Sequence, residues 1–307
     1  MEFQEEGILP RWNRGTPRVL DAVRVSDGAK VVLKKVNIHQ DIPILEFLNS
    51  PELLLDPRNN TVPILDLIPL PNDGNFALIV MPMLRHFDSH IIPFRHVSEV
   101  VEALEQFIQG LAFLHEHQIA HRDICYFNLM MDSTKVIPSG FHFARQYVQD
   151  DFKTQIIYHD RRSVGPVKYY SIDYETARHF FPGEKCTGVM GQNRNVPEMS
   201  ETVPYDPFKL DVYQLGAIIP RFIENYEGLE FLKPLGDAMT DQDPEKRLTA
   251  AESIQKFQEL VSPLTEAESS QEIWLRRLSP EARLIVGFPV KNPLWYRFLE
   301  SLFCCCC

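Results

Sequence analysis

The sequence predicts an α+β protein, because its first third is rich in strand patterns and a long helix pattern follows. Two apolar runs, at 19–25 and 30–36, flank an Asp-Gly pair that is typical of a tight hairpin turn. Residues 97–115 carry apolar side chains at spacings of three and four, the pattern of a helix with one face in the core. The chain has 307 residues, 44% of them hydrophobic, which is enough for two lobes.

Local patterns predict further elements in the first third. The second apolar run contains Lys34 and Lys35, which point to opposite faces because side chains alternate along a strand. A helix is expected after Asp41, and Pro43 fits it only within the first turn, where a missing N–H is tolerated. Residues 76–84 are all apolar and predict a buried strand.

A charged run, His-Arg-Asp-Ile-Cys-Tyr-Phe-Asn at 121–128, follows the long helix pattern. This run resembles the catalytic loop of protein kinases. The resemblance implies that Asp123 accepts the proton of the substrate hydroxyl and that Asn128 binds magnesium between phosphates. The short apolar run at 129–131 then predicts a buried strand.

A second acidic site ends an aromatic strand. Asp173-Tyr174-Glu175 follows the run at 169–172 and resembles the Asp-Phe-Gly site of the same family. By this resemblance Asp173 binds the magnesium that bridges the nucleotide phosphates, and Tyr174 replaces the packing phenylalanine. Glu175 departs from the family's glycine, and its carboxylate is expected either to recruit cation or to repel phosphate.

Three scaffold features occur farther along the chain, in the order that the family has them. Val-Pro-Glu, ending at Glu198, resembles Ala-Pro-Glu, and Asp211 resembles the aspartate of the next large helix. Arg247 is spaced as the buried partner of Glu198. The resemblance therefore covers residues 97–250. It implies a two-lobed, protein kinase-like fold with a small β-rich lobe and a larger, mainly helical lobe.

The resemblance is weaker in the small lobe. Val-Val-Leu-Lys, ending at Lys34, resembles the family's Val-Ala-Ile-Lys, which implies that Lys34 contacts the nucleotide phosphates. Asp41 occupies the place of the glutamate that pairs with this lysine, and Glu46 is the alternative. Met81 is expected to face the adenine of ATP, and Met83 to lie in the hinge beside it.

The glycine-rich phosphate loop of protein kinases is missing. Residues 1–25 contain no Gly-x-Gly-x-x-Gly pattern. The implied cofactors are ATP and Mg²⁺. Their binding therefore either relies on Lys34, Asn128 and Asp173 or is weak.

A long insertion, at about residues 133–168, separates the two expected metal-binding positions. Its composition predicts an exposed loop with a local strand near 155–158. The basic cluster that starts at Arg161 is expected to be a solvated turn, with contact to acidic or phosphorylated partners as the alternative. Such an insertion resembles the divergent protein kinase-like proteins of mushroom-forming, basidiomycete fungi.

The predicted domains are an extension at 1–18, the small lobe with its hinge at 19–84, the large lobe at 85–262 and a tail at 263–307. The tail holds an aromatic-rich amphipathic segment at 294–303, followed by four consecutive cysteines. Such a tail favours one of two arrangements. Either the cysteines are acylated and the segment docks on a membrane, or the segment packs on the large lobe beside free thiols.

Charge and composition restrict the possible partners. The net charge of −11 argues against nonspecific nucleic-acid binding, which requires a basic surface. The chain shows neither a secretory signal pattern nor an apolar run long enough to cross a bilayer, which predicts a cytoplasmic protein, with membrane association through the tail as an option. His115, His117 and His121 are not expected to bind metal, because no further ligands cluster with them.

Two functions follow from the resemblance. The first is an ATP-dependent protein kinase, serine/threonine-specific by the family's habit, which acts on a protein substrate. The second is a pseudokinase, a nucleotide-binding or scaffolding module without efficient turnover. The four retained site residues favour the enzyme, and the missing glycine loop favours the pseudokinase. Arg122 suits regulation by a phosphorylated segment, with Thr176 or Thr187 as acceptor.

Overall fold

The protein is α+β in a computed structural model, which describes residues 3–5, 18–71 and 73–278. The strands are β1 (Phe3–Glu5), β2 (Val19–Arg24), β3 (Lys30–Asn37), β4 (Asp66–Pro69), β5 (Phe76–Pro82), β6 (Arg85–His86), β7 (Ile119–Ala120), β8 (Leu129–Met131), β9 (Tyr169–Ser171), β10 (Arg178–His179), β11 (Cys186–Gly188) and β12 (Ser200–Tyr205). The helices are α1 (Ile42–Leu48), α2 (Pro51–Leu54), α3 (Val97–Glu116), α4 (Pro207–Gly216), α5 (Ile218–Asn225), α6 (Lys233–Met239), α7 (Ala250–Val261) and α8 (Glu266–Ser269).

An antiparallel five-stranded sheet forms the first third of the protein, in the order β1-β2-β3-β5-β4. The predicted hairpin joins β2 to β3, and Gly28 takes the positive φ of 72° that its turn requires. Helix α1 packs Leu45 and Leu48 against the sheet, in a cluster with Ile79 of β5. Pro43 lies in the first turn of α1, as predicted.

Helix α3 is the centre of the helical part and confirms the helix predicted at 97–115. Its apolar face packs into the largest hydrophobic cluster, together with side chains from β8, β9, α4, α5, α6 and α7. Aromatic rings meet edge to face there. The ring centroids of Phe87 and Phe107 lie 5.0 Å apart, and those of Phe94 and Phe222 lie 5.6 Å apart.

Two small antiparallel sheets place the loops that matter for function. Strand β8 pairs with both β6 and β9, and β7 pairs with β10. The predicted strand at 129–131 is therefore confirmed as β8. The segment 121–128 connects β7 to β8, and Asp173 lies two residues after β9. Both acidic positions lie where the five-stranded sheet meets the helical part, since Lys34 of β3 donates to the Asp173 carboxylate and Ile172 N–H donates to Asn128 O.

The insertion at 133–168 is largely an irregular, exposed segment, as predicted, but part of it enters the core. Ile137, Phe141 and Ile156 are buried in the largest hydrophobic cluster. The strand predicted near 155–158 is wrong. An isolated bridge between Val148 and Gln155 is the β pairing observed there. The sequence did not predict these buried positions, because the apolar residues occur singly between polar turns and form no regular pattern.

Arg161 corrects the prediction of a solvated basic turn. Its side chain is 1% exposed, and its guanidinium lies 3.9 Å from the centroid of the Phe94 ring. Nη2 donates to the backbone oxygens of Phe87 (2.8 Å) and Ile92 (2.9 Å), and Nη1 donates to the Tyr169 hydroxyl. The insertion is therefore fixed to the helical part by a buried cation. Its neighbour Arg162 is exposed, as predicted.

The two ends of the chain contribute to the fold within the described residues. Strand β1 extends the five-stranded sheet from inside the predicted extension at 1–18. Leu275 and Leu278, in the predicted tail, are buried against the helical part. The amphipathic segment at 294–303 and the four terminal cysteines lie outside the described residues. Among the residues described, no helix is both long and apolar enough to span a bilayer.

Candidate functional site

Lys34 connects the five-stranded sheet to the segment after β9. Its Nζ donates to Asp173 Oδ1 at 2.7 Å and lies 2.9 Å from Glu175 Oε1, while Lys35 on the opposite face lies over the Phe76 ring. The Lys34 side chain is only 13% exposed. Burial opposes its charge, but the two carboxylates outweigh burial and raise the pKa of Lys34. The ammonium is therefore held charged, facing Asp173.

A left-handed turn places Asp173 opposite Lys34. The φ of Asp173 is 66°, and the next residue, Tyr174, is 3% exposed. The Tyr174 hydroxyl is 2.6 Å from Ser171 Oγ and 3.2 Å from Thr61 Oγ1, and its ring lies 4.6 Å from the His121 ring. Burial raises the pKa of Tyr174 to about 12, so the phenol stays neutral. This anchored ring holds the turn and thereby the direction of the Asp173 carboxylate.

Asp41 does not pair with Lys34, contrary to the prediction. Its carboxylate accepts a 2.7 Å hydrogen bond from Asn37 N–H at the start of α1, and the alternative, Glu46, is exposed. Burial raises the pKa of Asp41, against the lowering effect of that hydrogen bond. Glu175 supplies the carboxylate instead and also lies 3.2 Å from Arg18 Nη1. The only sequence signal was that Glu175 departs from the family's glycine.

A buried aspartate on α4 holds the backbone of the segment 121–128. Asp211 is fully buried, and its carboxylate accepts from the N–H groups of His121 (2.8 Å) and Arg122 (2.7 Å). Gln214, one turn later on α4, accepts from Ile124 N–H. The loop is thus fixed to a helix of the core by three hydrogen bonds. Arg122 takes a positive φ of 61° between these contacts.

His121 links the two acidic segments from inside the core. Its Nδ1 accepts from Asp123 N–H at 3.3 Å, so Nε2 carries the proton and donates to Ile172 O at 3.1 Å. The ring is fully buried, and burial lowers the pKa of His121. A neutral imidazole therefore holds Asp123 in register with the residue that precedes Asp173.

Asp123 and Asn128, for which the sequence predicts the roles of base and metal ligand, lie side by side. Asn128 Nδ2 donates to Asp123 O at 2.8 Å and to Asp123 Oδ2 at 3.0 Å. Both residues are buried, and Ile172 N–H donates to Asn128 O at 2.9 Å, which places the two segments alongside each other. Between them Cys125 is buried, and burial raises the pKa of its thiol to about 11. Cys125 is therefore a neutral packing residue rather than a nucleophile.

A residue that the sequence did not indicate covers this pair. Gln192 N–H donates to Asp123 Oδ1 at 2.7 Å, and Gln192 Nε2 donates to Asn128 Oδ1 at 3.1 Å. Gln192 lies in an irregular segment between β11 and β12, and no local pattern predicts its position. The preceding Gly191 was the available signal, since its φ is 77° and a Cβ there would lie 2.6 Å from Asp123 Oδ1.

The two methionines face two different small cavities. Met81 lines one cavity with Lys34 and Asp173 and also packs in the cluster behind α1. Met83 lines the other cavity with Ala22 and Lys30. The insertion closes this second cavity, because Lys30 Nζ donates to Phe141 O at 2.9 Å and forms an ion pair with Asp150.

The donor set of the site suits a hard cation. The carboxylate of Asp173 and the amide oxygen of Asn128 are ligands of the kind that Mg²⁺ prefers, and bound phosphates and water complete its shell in nucleotide sites. In the part of the chain that the structure describes, no group of three or more His, Cys, Asp or Glu side chains is placed to hold a metal. His115, in the predicted histidine cluster, lies with Nε2 3.1 Å from Asp211 Oδ2.

The two candidate phosphorylation residues differ in accessibility. Thr176 Oγ1 donates to His121 O at 2.8 Å, and Arg122 Nε donates to Thr176 O at 2.6 Å, so this hydroxyl and this guanidinium already hold the loop. Thr187 is exposed on β11.

The buried pair between Glu198 and Arg247 is confirmed. Arg247 Nη2 donates to Glu198 Oε2 at 2.9 Å, and the arginine side chain is fully buried. Arg247 also donates to the backbone oxygens of Lys209 and Asp241. The pair therefore fixes the segment that follows Gln192 to the helical part.

Comparison with known proteins gives a limited indication. No model of a protein family matches the chain. A stretch of 78 residues is 31% identical to a protein described as a light-sensor protein kinase from Ceratodon purpureus. The aligned stretch covers 25% of this chain and 6% of that protein. This partial similarity points towards protein kinases, over a quarter of the chain.

Proposed function

We propose that the protein is an ATP-dependent protein kinase with a two-lobed kinase-like fold, in which the five-stranded sheet is the small lobe. The observation that carries this proposal is the convergence of four groups. Lys34 pairs with Asp173 at 2.7 Å, and Asp123 bonds to Asn128 at 3.0 Å in the adjacent segment. A cation, a hydroxyl-activating carboxylate and two oxygen ligands for metal are what phosphoryl transfer from a nucleotide uses.

Each group has a role that follows from its position. Asp123 accepts the proton of a serine or threonine hydroxyl on a protein substrate and orients that oxygen towards the phosphate. Asp173 and Asn128 hold Mg²⁺, which neutralises charge on the phosphates when it is bound. Lys34 positions the phosphates of ATP, and Met81 and Met83 lie near the adenine.

A fixed framework makes these roles feasible without a glycine-rich loop. The base and the metal ligands depend on Asp211, His121 and Tyr174, which are all buried. Groups that are already oriented lose little entropy on binding, and this favours catalysis. We infer that Lys34 and the metal hold the phosphates, in place of the backbone amides of a glycine-rich loop.

A pseudokinase is the second candidate, and a specific observation favours it. Gln192 bonds to both Asp123 and Asn128, and Glu175 adds a negative charge beside Lys34. Such a site binds nucleotide less readily, and its base is covered. In this case the protein acts as a nucleotide-binding or scaffolding module, and its partner is a protein.

Transfer of labelled phosphate from ATP separates the two candidates. The assay measures transfer with Mg²⁺ onto the protein itself and onto a generic basic protein, for wild type and Asp123→Asn. As a kinase, wild type transfers phosphate and the variant is slower by at least about a hundredfold, because a positioned base is lost. If both proteins are equally silent, the pseudokinase account replaces the enzyme.

A further inference from the structure

We propose that Gln192 is a displaceable cover of the catalytic pair, which the acceptor hydroxyl and the metal have to push aside. The inference rests on the proposed function, because it assigns Asp123 and Asn128 the roles given above. It adds a residue that masks the site, from a segment that is remote in sequence. Three features of Gly191 and Gln192 support it.

The backbone of Gln192 occupies the free side of the base. Its N–H lies 2.7 Å from Asp123 Oδ1, while Asp123 Oδ2 accepts from Asn128 Nδ2 at 3.0 Å. A general base meets the proton that it removes at about 2.6 to 3.2 Å between heavy atoms. An acceptor hydroxyl that approaches Oδ1 therefore meets the Gln192 amide first.

The side chain of Gln192 occupies the expected metal ligand. Its Nε2 donates at 3.1 Å to Asn128 Oδ1, which is the atom of that amide that can bind a cation, since the Nδ2 group is a donor. A cation on this oxygen lies next to the positive end of the Gln192 N–H dipole, so the hydrogen bond and the metal disfavour each other. Gln192 and the cation consequently compete for it.

The backbone at Gly191 lies close to Asp123, but the side chain of Gln192 is weakly held. Gly191 has a φ of 77°, and any side chain there would place Cβ 2.6 Å from Asp123 Oδ1, so only glycine allows the contact. Gln192 itself is exposed, although its two donors reach the buried pair. Its side chain can rotate towards solvent, which breaks the bond to Asn128, whereas the backbone N–H leaves Asp123 only when the segment at 191–192 moves. The bond between the two side-chain amides is neutral and is readily exchanged for bonds to water.

Metal binding tests the cover directly. Mn²⁺ takes the same oxygen ligands as Mg²⁺, and its binding is measured by the loss of the electron paramagnetic resonance signal of free Mn²⁺. The full chain is titrated with Mn²⁺ in the presence of a non-hydrolysable ATP analogue, as wild type, Gln192→Ala and Gln192→Met. Methionine keeps the length of the side chain and cannot donate. We expect both variants to bind Mn²⁺ about three- to tenfold more tightly, because one competing hydrogen bond is removed.

Two further variants make the outcome decisive. Asn195→Ala changes another exposed amide of the same segment, whose backbone N–H bonds to Asn193, and should bind as wild type does. Asn128→Ala should bind more weakly. If it does, and the Gln192 variants match wild type, the cover is refuted while the metal role of Asn128 stands. If Asn128→Ala binds as wild type does, that metal role fails and the cover fails with it.

Discussion

At the scale of the residue, Lys34 receives its carboxylate partner from an unexpected direction. Protein kinases supply it from a helix of the small lobe, which is why the sequence predicted Asp41. In this structure the shorter Asp41 side chain binds the backbone of Asn37, and Glu175 reaches Lys34 at 2.9 Å. The turn at Asp173 thus provides both the carboxylate proposed to bind metal and the partner of the lysine.

Replacement of each acid by its amide tests which carboxylate is the partner of Lys34. Glu175→Gln removes a charge-assisted contact to Lys34, and we expect the affinity for ATP with Mg²⁺ to fall about tenfold or more. Asp41→Asn keeps an oxygen that accepts from Asn37 N–H, and its affinity should stay within about twofold of wild type. Isothermal calorimetry measures both. A tighter Glu175→Gln variant would show instead that this carboxylate repels phosphate.

At the scale of the element, sequence patterns predicted the regular parts well and the insertion poorly. Helix α3 has a clear apolar period, and strands β3, β5, β8 and β9 lie in runs rich in apolar or aromatic residues, because these elements pack on the core. The segment 133–168 has no period, since turns bring Phe141 and Ile156 inward one at a time. The charge of Arg161 also led to a wrong prediction of exposure. Its side chain is buried, because it stacks on Phe94 and donates to carbonyl oxygens.

The buried arginine should determine the stability of the insertion. Arg161→Ala leaves two buried carbonyl groups without donors and a cavity beside Phe94. We expect the free energy of unfolding to fall by about 3 to 5 kcal/mol. The exposed neighbour offers a matched control, and Arg162→Ala should change the value by less than about 0.5 kcal/mol. Urea denaturation followed by fluorescence gives both values, and equal effects would contradict the anchoring role.

At the scale of the whole molecule, charged contacts join the sheet to the helical part on both sides of the site. Lys34 bonds to Asp173 and Glu175, and Lys30 bonds to Asp150 of the insertion. The sequence predicted Lys34, Asp123, Asn128 and Asp173 individually, through the resemblance. The sequence did not predict the contacts of Gln192, because contacts between segments that are far apart in sequence depend on the path of the whole chain.

Calorimetric titration of the protein with ATP tests the central claim, that the Lys34–Asp173 pair marks a nucleotide and metal site. We predict that wild type binds ATP with Mg²⁺, that chelation of Mg²⁺ weakens binding, and that Lys34→Met binds about tenfold more weakly or worse, since a charged contact to phosphate is lost. Asp173→Asn should lose most of the Mg²⁺ dependence. Absence of binding by wild type, or equal binding by all three proteins regardless of Mg²⁺, would contradict the account.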